Sequence, residues 1–122
     1  MDWERRGYRM LEFENSDVID VNMSSLQGYV ETTYGQLVKT FGEPTHTDAS
    51  PYEKVNAEWT LEFTIPFTDE WGEEDFNYVK ATIYNWKDGY VPTEEYKWHI
   101  GGFNYEAVDC VEKVLDSTKE LV

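Results

Sequence analysis

The sequence predicts an α+β fold: a twisted antiparallel β-sheet with a short helix over about 34–41 and a C-terminal amphipathic helix over about 105–121, both packed on one face. Three observations predict it. Lys54 to Ile65 alternates apolar and polar residues, Tyr78 to Trp86 repeats that alternation, and the chain after Asn104 changes to a helical period. A chain of 122 residues and 14.4 kDa has room for one core, so residues 1–122 read as a single domain.

Taken in order, Tyr8 to Phe13 and Val18 to Val21 read as short strands, and Leu26 to Thr32 as a strand with an irregularity at Gly28. Thr33 followed three residues later by Gln36 has the spacing of a capping box. Tyr34, Leu37, Val38 and Phe41 then share one helix face, Gly42 ends the helix and Pro44 blocks its continuation. After a polar loop, Thr45 to Pro51, the main strand turns Val55, Ala57, Trp59, Leu61, Phe63 and Ile65 toward the core. It turns Asn56, Glu58, Thr60, Glu62 and Thr64 toward water.

Past Pro66, an acidic connection from Phe67 to Asn77 leads into the second strand, Tyr78 to Trp86, with Val79, Ala81 and Ile83 on its core side. Lys87-Asp88-Gly89 is a turn signal. A third strand, Tyr96 to Ile100, is broken by Gly101-Gly102, and Asn104 caps a helix whose apolar face carries Val108, Val111, Val114, Leu115 and Leu121. No internal repeat or low-complexity segment interrupts this plan.

Charge narrows the function. The formal net charge is -15, yet 16% of the residues are aromatic, so the chain can collapse around a core that disordered acidic tails lack. Setting aside Asp2 and Glu4 among the 25 acids, and Arg5, Arg6 and Arg9 among the 10 basic residues, leaves 23 acids against seven lysines. Such a body repels phosphates, which argues against direct nucleic-acid binding and favours a basic partner. With no long apolar run and no signal-peptide pattern, the expected setting is cytoplasmic and off the membrane. Cys110, alone, reads as a small buried hydrophobe.

Four constellations bear on chemistry. The segment Phe67 to Phe76 sets Asp69, Glu70, Glu73, Glu74 and Asp75 among aromatics. It reads either as a solvated hairpin connection or as a row of carboxylates imitating phosphates, with Trp71 as the anchor and Glu94 and Glu95 as secondary contacts. Its spacing does not fit a calcium loop, and His46, His99 and Cys110 lack zinc-ligand spacing, so no metal or cofactor is expected. Gly101-Gly102 ahead of a helix is the second. With Trp98, His99, Phe103 and Asn104 it could hold a nucleotide, although two glycines in a strand-to-helix turn explain the pattern equally. Third, His99 and Cys110 would form a nucleophile pair only if both faced one cleft, and no serine-hydrolase elbow is present, so the reading is non-enzymatic. Last, Tyr78, Lys80, Tyr84 and Trp86 on the outer face suit a partner, a second copy in a homodimer, or the N-terminal segment.

Phe41-Gly-Glu-Pro44, Ala57-Glu-Trp59, Ala81-Thr-Ile-Tyr-Asn-Trp86 and Trp98-His-Ile-Gly-Gly102 together resemble a pattern in small uncharacterised proteins of bacteriophages and large DNA viruses, over about residues 29 to 115. No established activity or catalytic residue comes with that pattern. The resemblance implies a viral origin and, by analogy of class, an inhibitor of a host nucleic-acid-handling or defence protein whose basic groove meets DNA-like negative charge. The alternative expectation is a small-ligand binder that sequesters a nucleotide at Gly101-Gly102.

Overall fold

The structure, a computed structural model, describes residues 11–119. It is an α+β fold with six strands and two helices: β1 (Glu12–Asn15), β2 (Ser25–Thr32), α1 (Tyr34–Phe41), β3 (His46–Thr47), β4 (Ala57–Thr68), β5 (Glu74–Tyr84), β6 (Tyr96–Gly102) and α2 (Glu106–Lys119). All strand pairings are antiparallel. The sheet runs β1-β4-β5-β6-β2, with β3 pairing the start of β4 on the edge that β1 occupies further along.

The alternation read from the sequence sets the core face. Trp59 lies opposite Ile83, Leu61 opposite Ala81 and Phe63 opposite Val79, and Ile83 is followed across the sheet by Ile100. All these side chains are buried beneath Leu37 and Phe41 of α1 and Val108, Val111, Val114 and Leu115 of α2. Both helices begin where their caps predict. Thr33 accepts from the Gln36 amide at 3.1 Å, and Asn104 Oδ1 accepts from the Glu106 amide at 2.9 Å. Leu121, expected on the second helix, lies outside the described residues, as do residues 8–10 of the expected first strand.

Trp59 and Trp98 are fully buried and meet edge to face, their ring centroids 5.6 Å apart. At about 25 cal/mol per Å² over the ~200 Å² that a buried indole removes from water, each contributes about 5 kcal/mol before ordering entropy is set against it. Their N–H groups also fix α1. Trp59 Nε1 donates to Gly42 O at 2.8 Å, just past the helix, and Trp98 Nε1 donates to Thr32 O at 3.2 Å, just before it. The two largest core side chains thus hold both ends of the helix that covers them.

The end of the sheet where β4 begins and β5 ends is closed by buried amides. Asn85 Oδ1 accepts from the Asn56 amide at 2.8 Å and the Ala57 amide at 3.0 Å. Asn56 Nδ2 donates to Asp48 O and Ser50 O, and Asn85 Nδ2 reaches Asp88 Oδ2 and Tyr90 O, so one pair of side chains pins two loops. Asn56 is therefore buried, not on the wet face that alternation assigns it, because the loop folds over it. Tyr96 completes the closure, donating to Asp88 Oδ2 at 2.5 Å and accepting from the Trp86 amide at 3.2 Å.

Five further expectations change. Val18–Val21 forms turns rather than a strand: β1 and β2 lie on opposite edges, so residues 16–24 must cross the sheet, and with the helices on one face they cross the other. Lys80 Nζ donates to Asp20 O at 2.9 Å beneath this strap, and Thr60 and Thr82, expected to face water, are buried. β4 runs on through Pro66 to Thr68 and β5 starts at Glu74, so most of the expected Phe67–Asn77 connection is paired strand. Pro66 itself stands in the ladder, paired with Phe76 of β5. β5 ends at Tyr84, short of Trp86. Lastly, Gly101 and Gly102 belong to β6 rather than ending it.

Asn85→Ala leaves two buried backbone N–H groups without an acceptor and is expected to lower stability by about 3 kcal/mol in urea unfolding. Burial, then the hydrogen bond to Asp88, push the Tyr96 hydroxyl up to about 12. A pKa raised in the folded state gives stability that is complete below the unfolded value near 10 and is lost as pH rises toward about 12. Tyr96→Phe is expected to flatten that alkaline loss in pH-dependent unfolding.

Candidate interaction site on the β4–β5 arm

β4 and β5 are 12 and 11 residues long, against seven for β6 and four for β1, so among the described residues their shared hairpin extends beyond its neighbours. The pairing continues through Pro66–Phe76 and Phe67–Asp75 to Thr68–Glu74, with a turn at the tip. Asp69 organises that turn. Its backbone accepts from Gly72 N at 3.0 Å and donates to Glu73 O at 2.8 Å, while its Oδ1 accepts from Trp71 N and Glu73 N, both at 2.9 Å. Gly72 has φ +82°, the left-handed position that a tight hairpin of this type gives to glycine.

The turn leaves Trp71 80% exposed at the tip, with Glu70, Glu73, Glu74 and Asp75 also exposed around it. Phe67 lies on the core side of the arm, while Phe76 and Tyr78 lie on the other side, and all three are exposed. Five acids and no basic residue occupy positions 66–77. The structure therefore gathers Glu70, Trp71, Glu73, Glu74 and Asp75 on one arm, with Asp69 committed to shaping it. Phe76 and Tyr78 join them although sequence reading left them out of the site. The alternation that exposes them continues across Pro66, where a proline conventionally marks the end of a strand.

Glu94 and Glu95 are exposed in the loop between β5 and β6, at the opposite end of β5 from the tip. At 3.3 Å per residue the 11-residue strand separates the two groups by about 33 Å, so they do not form one patch with the arm.

The second set of candidates is divided by the sheet. Trp98 and Gly102 point into the core, His99 and Gly101 point to the outer face, Phe103 is exposed, and Asn104 caps α2. Each glycine answers a close contact. A Cβ on Gly102 would lie 2.5 Å from Ala107 Cβ on α2, and one on Gly101 would lie 2.6 Å from Thr82 Oγ1. Cys110 is buried on the helix side of the sheet, where burial pushes its thiol up to about 11, whereas His99 lies on the other side. The two share no cleft. Among the described residues no three His, Cys, Asp or Glu side chains gather as metal ligands would, and no helix is long and apolar enough to cross a membrane.

On the outer face, Glu58, Tyr84, His99 and Tyr29 stand directly opposite one another across β4, β5, β6 and β2. Tyr84 stacks on His99 at 5.3 Å, and Tyr29 meets the other side of the imidazole edge-on at 5.0 Å. Burial between the rings lowers the His99 pKa, and burial raises that of Glu58. The strap covers the neighbouring row, Thr60 and Thr82, but stops short of this one.

Gly102→Ala is expected to destabilise the fold by about 2 kcal/mol in urea unfolding, because the added methyl must push α2 off the sheet. Comparison with protein-family models, with curated proteins and with solved structures gives no match for this chain.

Proposed function

We propose that this protein is a non-enzymatic binding protein that docks the basic groove of a nucleic-acid-handling host protein through the β4–β5 arm. The observation that carries this reading is the exposure of Trp71 at the tip of a paired arm whose only charges, over positions 66–77, are carboxylates. A strand-built arm holds its charges at fixed spacing, so less conformational entropy is lost on binding than with a flexible acidic loop. Carboxylates give long-range attraction to Lys and Arg, and a large aromatic ringed by polar groups is the usual source of binding energy at such a contact. The net charge of -15 adds a field that repels nucleic acid and attracts the proteins that bind it. In this reading the protein competes with DNA for its partner, as an inhibitor from a virus would.

The nucleotide reading at Gly101-Gly102 has no comparable support, since its residues face opposite sides of the sheet and both glycines make packing contacts.

The test is capture of partners from host lysate, followed by affinity measurement with the purified partner. Wild-type binding is expected to weaken roughly tenfold or more between low and moderate salt, and to be displaced by duplex DNA. Trp71→Ala is expected to weaken it by about 2 kcal/mol, roughly thirtyfold. The combined change Glu70→Gln, Glu73→Gln, Glu74→Gln and Asp75→Asn should remove most of the salt dependence, with Asp69 kept so that the turn still forms. Binding that ignores salt, DNA and these substitutions would refute the proposal.

A further inference from the structure

The β5 edge of the arm is open along its backbone. β6 ends at Gly102, opposite Ala81, and among the described residues no strand pairs with β5 on that side from Glu74 to Lys80. Phe103 and Asn104 turn off toward α2, so the line that β6 follows is left vacant by these residues beside the arm.

Which backbone groups point to this edge follows from Thr60. Its N–H donates to Thr45 Oγ1 at 2.7 Å and its carbonyl accepts from Ser16 N at 3.1 Å, so both turn toward the β1 side and away from β5. Residues directly opposite in an antiparallel ladder exchange both bonds or neither, and the two states alternate along the strands. Because Thr60 lies opposite Thr82, the bonded pairs between β4 and β5 are the odd-numbered ones, which on the arm are Ile65 with Asn77 and Phe67 with Asp75. Glu74, Phe76 and Tyr78 therefore direct their N–H and C=O groups outward. The Phe76 N–H is held there by the Asp75 carboxylate at 2.8 Å rather than by a strand.

Sheets commonly blunt such an edge with proline, lysine or a bulge. Here the register from Tyr84 to Glu74 is unbroken, β5 contains no proline, and its one lysine, Lys80, sits at the inner end with Nζ on Asp20 O. An edge in this state can accept another strand.

Charge selects the strand. Glu73, Glu74 and Asp75 border the outer end of the edge, and at the inner end a cleft of about 260 Å³ between Tyr78 and Phe103 has Glu106 on its wall. A second copy of this chain, itself at -15, would bring the carboxylates of two arms together, whereas a basic segment would neutralise them. Phe76 and Tyr78, exposed on one face of the edge, supply contacts for apolar side chains at alternate positions.

We infer that β5 receives an extended, basic segment of the partner as an added strand along Glu74–Tyr78, with apolar side chains on Phe76 and Tyr78 and Lys or Arg at Glu74, Asp75 and Glu106. The inference rests on the proposed docking role of the arm and adds the mode of attachment.

The experiment is an NMR titration of the full chain with a short blocked peptide of alternating Lys and Val, and with its Glu and Val counterpart, reading amide exchange residue by residue. In the chain alone, Asp75 and Asn77 are expected to be protected while Glu74 and Tyr78 exchange as exposed amides. Saturating basic peptide should slow Glu74, Phe76 and Tyr78 roughly tenfold or more and abolish that alternation. The acidic peptide should bind roughly tenfold more weakly or not at all. Tyr78→Pro removes one outward N–H and leaves the bonds to β4, so it should weaken the basic peptide about fivefold beyond Tyr78→Ala, which removes only the side chain. Circular dichroism confirms that both variants are folded. Strand addition is overturned if the alternation persists at saturation, if the basic peptide does not bind, if both peptides bind alike, or if the two Tyr78 variants bind alike. Protection that rises with protein concentration in the absence of peptide would assign the edge to a second copy instead. The docking role and the mode of attachment fail separately. A captured partner that ignores salt and Trp71→Ala refutes the first, whereas one that responds to both yet binds Tyr78→Pro as it binds Tyr78→Ala refutes only the second.

Discussion

Two short helices can cover only part of a sheet whose middle strands are 12 and 11 residues long, and the rest of the structure follows from that limit. Trp59 and Trp98 set where the cover sits, because their indole N–H groups bond the backbone on either side of α1. From there the buried surface extends along β4 to Phe63 and along β5 back to Val79. Beyond Ile65, which still lies beside α2, the described residues place no helix over the hairpin, and its side chains become progressively exposed toward Trp71. The acids concentrate there for a physical reason. Carboxylates under the helices would require costly desolvation, whereas at the overhang they remain in water.

The outer face is shaped by a different necessity. A chain that places β1 on one edge and β2 on the other must carry its connection across the sheet, and α1 and α2 already occupy one side. Residues 16–24 therefore bury Thr60 and Thr82 but leave the row of Glu58, Tyr84, His99 and Tyr29 uncovered. Among the described residues His99 Nδ1 is buried there without a hydrogen-bond partner, a condition consistent with a neutral ring whose pKa is lowered by burial. The same crossing builds one wall of a cleft beside Trp86.

Much of this was legible in the sequence where the signal is local. The cap at Thr33, the stop at Gly42, the period of Val108 to Leu115, and the alternation of Trp59, Leu61 and Phe63 each depend on residues a few positions apart, and helix or strand formed at these residues as read. Information carried by distant residues was not legible. Asn56 reads as outward by alternation, but its burial depends on Asn85, 29 positions away. Thr60 and Thr82 read as wet because the strap that covers them has no strong pattern of its own. Gly101 and Gly102 read as a strand breaker, whereas contacts with Thr82 and Ala107 on opposite sides of β6 explain them. On the arm, the acids and Trp71 stand out in composition, while the continuation of the ladder through Pro66 to Thr68 is concealed by a residue that usually ends strands.

The central claim is that the arm from Pro66 to Asn77 is a structured extension outside the cooperative core. Residue-resolved amide hydrogen exchange on the free protein tests it most directly. The account predicts that the ladder amides of the arm exchange more slowly than those of an unstructured chain yet open locally, well before Trp59, Leu61, Ala81 and Ile83, whose amides exchange only with global unfolding. Arm amides as strongly protected as those core positions would contradict it, as would arm amides with no protection at all.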